Sequence, residues 1–128
     1  MYQLSRISES RLDGINPVLK AIVKQAIKTS PIDFGIPKDG GLRTAERQKE
    51  LFDKKVSKCD GYKNKSYHQT GNAFDIYAYV DGKASWNAIH LKIIARHIQE
   101  VAKTMFNVDL EWGGDWKNFK DMPHFQIK

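Results

Sequence analysis

The chain has 128 residues, of which 41% are hydrophobic and 28% are charged, and its formal net charge is +6 at pH 7. This length and balance fit one globular domain, residues 1–128, that is large enough to bury a core. A single cysteine, Cys59, excludes both an internal disulfide framework and a cysteine-rich structural zinc site.

The positive charge favours encounter with polyanions such as nucleic acid, anionic lipid or a bacterial cell wall. Six lysines lie between Lys49 and Lys65, and we interpret them as part of a solvated loop. Few aromatic residues and no arginine after Arg47 accompany them, so no nucleic-acid partner is expected. No stretch approaches the roughly 20 apolar residues of a membrane span, and no signal-peptide pattern is visible. We therefore expect no stable insertion in a membrane.

Capping and spacing signals organise the first half of the chain. A helix is predicted to begin at Pro17, with Asn16 as its N-cap, because apolar residues then recur at three- and four-residue spacings. A short strand is predicted over residues 32–36. Thr44 is predicted to cap a second helix, and a polar loop over residues 54–65 follows.

The second half begins with alternating apolar and polar residues over positions 73–80, which predicts one half-buried strand. Ser85 is predicted to cap a long helix that ends near residue 106. Two more short strands are predicted over residues 108–112 and 124–127. The apolar stripe of the long helix is expected to include Trp86, Ile89, Ile93, Ile94, Ile98, Val101 and Met105. Helices and short strands without regular βαβ alternation predict an α+β fold, with a short antiparallel sheet packed against helices.

Two histidines and one aspartate are the candidate metal ligands: His68, Asp75 and His124. They can converge if the strands that carry Asp75 and His124 are neighbours. Three protein ligands leave a fourth position of zinc to water, which is the arrangement of a catalytic site. Each residue also has an ordinary interpretation, because a histidine near a strand is more often a packing or surface residue and an aspartate on a strand can be an edge charge.

Two charged residues are candidates for the chemistry around such an ion. Asp121, three residues before His124, could act as a general base or could cap a loop. Arg43, just before a predicted helix, could stabilise an oxyanion, clamp a substrate carboxylate or form a salt bridge at the helix end. Trp112 and Trp116 flank a glycine pair and could belong to the core or to the wall of a pocket.

These segments resemble a known family. The pattern Ser-x-His-x-x-Gly-x-Ala-x-Asp over residues 66–75, with Asp-x-x-His over 121–124, resembles the zinc D,D-peptidases of vancomycin resistance and their relatives. Gly-x-Arg-Thr over 41–44, followed by Gln48, is similar to the arginine motif of that family. The tail Glu-Trp-Gly-Gly-Asp-Trp over 111–116 resembles the L-alanyl-D-glutamate endopeptidase branch, which includes phage endolysins.

The resemblance implies the small α+β fold that is shared with the Hedgehog signalling domain. It also implies Zn²⁺ as the cofactor, held by His68, Asp75 and His124. Asp121 would be the general base and Arg43 the transition-state stabiliser. Four further residues become candidates for binding substrate: Ser66, Gln48, Trp112 and Trp116.

The implied activity is cleavage of the bond between L-alanine and D-glutamate in the stem peptide of peptidoglycan. A phage endolysin of this kind, which we expect to be a monomer, stays in the host cytoplasm until it is released to the cell wall. Two alternatives stay open. One is a D-alanyl-D-alanine carboxypeptidase or dipeptidase on the same scaffold, and the other is a zinc-stabilised binding module without turnover.

Overall fold

The structure, a computed structural model, describes residues 1–127. Its helices are α1 (Arg6–Arg11), α2 (Pro17–Thr29), α3 (Ala45–Asp53) and α4 (Ala88–Phe106). Its strands are β1 (Asp33–Gly35), β2 (Ala73–Asp75), β3 (Tyr77–Val80), β4 (Lys83–Ser85), β5 (Glu111–Trp112) and β6 (His124–Gln126). Two single turns of 3₁₀-helix cover Tyr67–Thr70 and Gly113–Asp115. The predicted α+β class is confirmed.

The strands form two separate three-stranded antiparallel sheets. In the first sheet β3 lies between β1 and β4, and in the second β6 lies between β2 and β5. The chain passes from the second sheet to the first at Ile76, whose N–H donates to the carbonyl of Pro123 at 3.0 Å. The single strand predicted over residues 73–80 is therefore wrong. The alternation of buried residues continues through Ile76, but the backbone pairing changes from one sheet to the other.

The main core lies between α2, α4 and the sheets, and it includes Phe74 and Phe125, whose rings stack at 5.0 Å. α4 buries one stripe: Leu91, Ile94, Ala95, Ile98, Val101 and Ala102. Four residues that the sequence assigned to this stripe are exposed instead: Trp86, Ile89, Ile93 and Met105. Ile89 and Ile93 lie on the side of the helix opposite the stripe that packs against α2, and Trp86 precedes the first residue of the helix, Ala88. No helix within residues 1–127 combines the length and apolarity that a bilayer span requires.

The predicted start of α2 is confirmed, since the side chain of Asn16 accepts the N–H of Val18 at 2.9 Å. Thr44 caps α3 in the same way. The predicted cap of α4 is wrong: Ser85 ends β4, and Asn87 is the N-cap.

α1 has no counterpart among the predicted elements. Ser8, although polar, is 1% exposed, and its hydroxyl accepts the N–H of Ile36 at 3.0 Å. The guanidinium of Arg11 donates to the carbonyl of Ile36 at 2.9 Å. α1 therefore holds the segment that leads from β1 towards Gly41 and Arg43.

Candidate active site

The three predicted ligands meet at one point. His68 Nε2 lies 3.2 Å from Asp75 Oδ1 and 3.2 Å from His124 Nδ1. The distance from His124 Nδ1 to Asp75 Oδ1 is 3.1 Å. Within residues 1–127 this triangle is the one group of three or more histidine, cysteine or acidic side chains that could hold a metal ion.

The donor set and its spacing fit zinc. In a tetrahedral site with ligand distances of about 2.0–2.2 Å, neighbouring donor atoms lie roughly 3.3–3.6 Å apart, and the triangle is only slightly tighter. In each imidazole ring, the nitrogen that points away from the triangle already forms a hydrogen bond. His68 Nδ1 donates to the carbonyl of Gly41 at 2.9 Å, and His124 Nε2 donates to Gln126 Oε1 at 2.8 Å. Each ring can therefore offer the nitrogen that faces the triangle to a metal ion without a proton, as metal-ligating histidines do.

Protons and a metal ion would compete for this triangle. Burial disfavours a charge on Asp75, yet the hydrogen bonds from His124 and His68 hold the pKa of its carboxyl well below the ordinary 3.8. Burial also disfavours a charged His124, but the hydrogen bond and the negative charge of Asp75 outweigh it and raise the pKa of His124 above 6.5. Without a metal, a proton on His124 balances Asp75, and a bound cation replaces that proton.

Local structure explains why these residues meet. The Ser66 hydroxyl accepts the N–H of His68 at 3.2 Å, and the turn closes at Gly71, which has a φ of 76° that favours glycine. Asp75 and His124 are direct partners in the register of β2 and β6. Opposite residues of an antiparallel pair project from the same face, so the pairing brings the carboxylate to the imidazole.

Arg43 lies directly behind Asp75, the candidate carboxylate ligand. Its Nη2 donates to Asp75 Oδ2 at 3.2 Å, its Nη1 to Gln48 Oε1 at 3.1 Å and its Nε to the carbonyl of Asp39 at 2.8 Å. Arg43 thus fixes the outer oxygen of Asp75 and leaves Oδ1 for the triangle. One N–H on each of Nη1 and Nη2 has no partner among residues 1–127.

Asp121 lines the same cleft as the triangle. Its backbone is held on both sides, since its N–H donates to Gly113 and its carbonyl accepts from His124, both at 3.1 Å. Its carboxylate has no hydrogen-bond partner within residues 1–127. Desolvation in the cleft, together with the charge of Asp75, raises the pKa of Asp121 above the ordinary 3.8. An unpaired carboxylate with a raised pKa is suited to accept a proton.

The cleft that contains these groups has a volume of about 850 Å³. Ser66 and Trp116 line it, as expected of substrate-binding residues, and the Trp116 ring centre lies 5.4 Å from that of His124. Gln48 and Trp112 do not line it, since they are 0% and 2% exposed. Gln48 acts within the protein instead, because its amide nitrogen donates to Ser57 and to the carbonyl of Cys59.

Gln126 and Glu111 contact the site, and sequence reasoning did not assign them a role. Gln126 receives the His124 N–H, and its own amide nitrogen donates to Glu111 Oε2 at 2.7 Å. The same oxygen of Glu111 accepts the indole N–H of Trp116 at 3.2 Å. The tail motif over residues 111–116 contains Glu111 and was a signal for it, whereas nothing in the sequence marked Gln126.

Comparisons with known proteins show which family the chain resembles. The profile of the family described as phage L-alanyl-D-glutamate peptidase matches residues 1–126. The L-alanyl-D-glutamate peptidase of Escherichia phage T5 is 29% identical over 127 residues, which are 99% of this chain and 90% of that protein. The peptidoglycan L-alanyl-D-glutamate endopeptidase CwlK of Bacillus subtilis (strain 168) is 31% identical over 127 residues, with 88% of this chain and 73% of that protein covered.

One solved structure is similar to this chain over most of the length of both proteins. The crystal structure of the Serratia marcescens L-Ala D-Glu endopeptidase ChiX superposes with a TM-score of 0.83 at 34% identity, and it covers 94% of this chain and 86% of that chain. Since the family profile also extends over nearly all of the sequence, the chain belongs to the phage L-alanyl-D-glutamate peptidase family.

Proposed function

We propose that the protein is a zinc-dependent endopeptidase that hydrolyses the bond between L-alanine and D-glutamate in the peptidoglycan stem peptide. The observation that carries this proposal is the triangle of His68, Asp75 and His124, which shares one cleft with the unpaired carboxylate of Asp121. Bound there, zinc would supply Lewis-acid chemistry that polarises an amide carbonyl and makes water acidic enough to attack at neutral pH.

Asp121 is the proposed general base. Its carboxylate has no hydrogen-bond partner in the described residues 1–127 and has a raised pKa, so it can take a proton from the attacking water and later pass it to the leaving amine. The ligand histidines cannot serve in this way, because each commits one ring nitrogen to the triangle and the other to a fixed acceptor.

Arg43 is the proposed electrostatic stabiliser. Its guanidinium is anchored by Asp39, Gln48 and Asp75 and is therefore preorganised. The two N–H groups that have no partner among residues 1–127 can donate to the carbonyl oxygen as it gains negative charge.

The choice of the bond is supported by the relatives, which are named for L-alanyl-D-glutamate cleavage in a phage and in two bacteria. The phage relative also favours a role in host lysis. In that setting the enzyme accumulates in the host cytoplasm and acts on the wall after a separate lysis protein has breached the membrane.

Digestion of purified sacculi, followed by mass spectrometry of the products, tests the proposal. We expect new N-terminal D-glutamate, no new reducing sugar ends, loss of activity with a chelator and recovery with zinc. Free D-alanine as the sole product would move the activity to a carboxypeptidase. Intact sacculi at full zinc loading would indicate a binding module.

A further inference from the structure

Five lysines border the cleft and come from three separate parts of the chain. Lys38 lies between β1 and α3, and Lys120 lies between the second 3₁₀ turn and β6. The remaining three lie in the loop after α3: Lys55, Lys58 and Lys65. All five are exposed. We refer to these five residues as the lysine border.

The lysine border is not neutralised by ion pairs within residues 1–127, although Lys38 and Lys120 interact electrostatically with Asp39 and Asp115. None of its members forms an ion pair within residues 1–127, and Lys58 instead places its ammonium 4.8 Å from the centre of the Phe119 ring. Elsewhere four lysines each pair with a carboxylate: Lys20, Lys24, Lys49 and Lys103. Lysines at the cleft are thus available to a negatively charged ligand.

The carboxylates in the cleft do not neutralise this charge either. Asp39 is held by Arg47 at 2.8 Å, and Asp75 is held by Arg43 and the two histidines. Asp121 alone among the carboxylates lining the cleft has no partner within residues 1–127. The cleft therefore presents an excess of positive charge, and a bound metal cation would add to it.

We propose that the lysine border recognises the free α-carboxylate of D-glutamate in the stem peptide and selects the acid form over the amidated form. This inference rests on the proposed function. D-glutamate is joined to the following residue through its γ-carboxyl group, so its α-carboxylate stays free on the carbon next to the scissile nitrogen. A cleft that binds this bond must accept a negative charge beside it, and amidation of the α-carboxylate removes that charge.

The expected preference is moderate, because the lysines are exposed. One lysine about 8 Å from a carboxylate in water contributes a factor of roughly 2 at low ionic strength, and less when salt screens it. Together, five lysines at about this distance should favour the acid form roughly thirtyfold at low ionic strength. The α-carboxylate is charged in the bound substrate as well as in the transition state. The preference for the acid form should therefore appear in KM rather than in kcat.

Two synthetic stem peptides that differ only in D-glutamate or D-isoglutamine provide the test, with the zinc-loaded protein as enzyme. We expect a roughly thirtyfold higher kcat/KM for the acid peptide at low salt, and a smaller ratio in 0.5 M salt. Lys65→Gln/Lys120→Gln should lower the ratio about fourfold through KM. The matched control Lys28→Gln/Lys92→Gln changes the net charge equally at exposed positions that do not line the cleft, and it should leave the ratio unchanged.

Equal kcat/KM for the two peptides would overturn the inference and leave the proposed function standing. An equal loss in both double variants would reduce the effect to net charge and would also overturn it. The inference would also be overturned if Lys65→Gln/Lys120→Gln were less active on whole sacculi but kept the wild-type ratio of kcat/KM for the two peptides. In that case the lysines would bind a polymer of the cell wall.

Failure of both peptides to be cut between alanine and glutamate would defeat the proposed function instead. The lysine border is still tested in that case by equilibrium binding of the two peptides to zinc-loaded Asp121→Ala. Tighter binding of the acid peptide supports the border, and equal binding rejects it.

Discussion

Gln126 extends the proposed metal centre beyond its three candidate ligands. It accepts the outer N–H of His124 and donates to Glu111, which also holds Trp116. Because Glu111 can only accept, it fixes which end of the Gln126 amide faces His124 and thereby which nitrogen of the imidazole meets the metal.

We therefore expect Gln126→Leu to weaken zinc binding by about 10–100-fold while the fold is retained. Leucine cannot accept the His124 N–H, so the ring loses its orientation and its fixed tautomer. Competition with a chromophoric chelator measures the affinity. Gln25→Leu on α2 is a suitable control, since Gln25 is half-buried and does not line the cleft. Equal zinc affinities for the two variants would contradict this role of Gln126.

Asp121 gives a different prediction, because it lines the cleft but does not belong to the triangle. Asp121→Ala should keep one zinc per chain and lose about 10²–10⁴-fold in kcat, the usual cost of removing a general base. Metal analysis and single-turnover kinetics measure the two properties separately. Asp109→Ala, which removes an exposed carboxylate paired with Lys103, should leave both unchanged. A stoichiometric loss of zinc in Asp121→Ala would make Asp121 a ligand.

At the level of elements, the sequence predicted what local signals determine. α2 and α4 have regular apolar spacing, Asn16 caps α2 and Thr44 caps α3. The presence of these three helices could therefore be predicted from the sequence. The ligand motif predicted the triangle because its residues lie at a turn and at paired strand ends.

Features that depend on tertiary contacts could not be predicted. α1 has no apolar spacing, since its polar Ser8 is the residue that it buries against Ile36. The chain changes sheets at Ile76 without interrupting the alternation of buried residues, so the sequence pattern gives no sign of the change. Gln126 became relevant only because β6 aligns it with the outer nitrogen of His124.

α1 also explains a glycine beside the site. A Cβ added at Gly41 would overlap the carbonyl oxygen of Arg11 at the end of α1. The Gly41 carbonyl accepts the N–H of His68, so a shift of this segment would move a ligand as well as a helix. We expect Gly41→Ala to cost about 1–3 kcal/mol of unfolding free energy, as overpacking does, and to lower zinc affinity. Denaturant unfolding of the metal-free protein and chelator competition measure these two effects.

Gly82→Ala is the control that separates a loss of stability from a loss of zinc affinity. Gly82 has open space around it but a φ of 78°, so alanine there should cost about 1 kcal/mol through backbone strain alone and leave zinc affinity unchanged. Wild-type stability for Gly41→Ala would contradict the packing of α1 against this glycine.

For the molecule as a whole, zinc would join parts of the chain that are distant in sequence. His68 and His124 are 56 residues apart and lie on a turn and on a strand of the second sheet. An ion that binds only the folded state stabilises it by mass action, by about 2.7 kcal/mol at a free concentration 100 times Kd. The melting temperature should therefore rise on addition of zinc.

The size of this rise should depend on pH, because zinc and a proton compete for His124. The pKa of His124 is raised in the folded, metal-free protein, so its contribution to stability is complete below the unfolded value of about 6.5 and is lost as the pH rises through the folded pKa. Asp75 has a lowered pKa and is ionised in both states above about pH 5, so it adds nothing to the trend in this range. Zinc affinity has the opposite trend, since each pH unit below the His124 pKa weakens binding about tenfold.

Thermal unfolding at pH 5.5–8.5, with and without a fixed excess of zinc, measures both trends at once. The difference between the two melting temperatures should widen as the pH rises and level off above the pKa of His124. His124→Ala retains His90 and His97 on α4, which could bind zinc adventitiously, and it should show only a small shift that does not follow this profile. A zinc-induced shift in the wild-type protein that is constant over the whole range would mean that zinc does not displace the proton of His124, and the ligand assignment would fail with it.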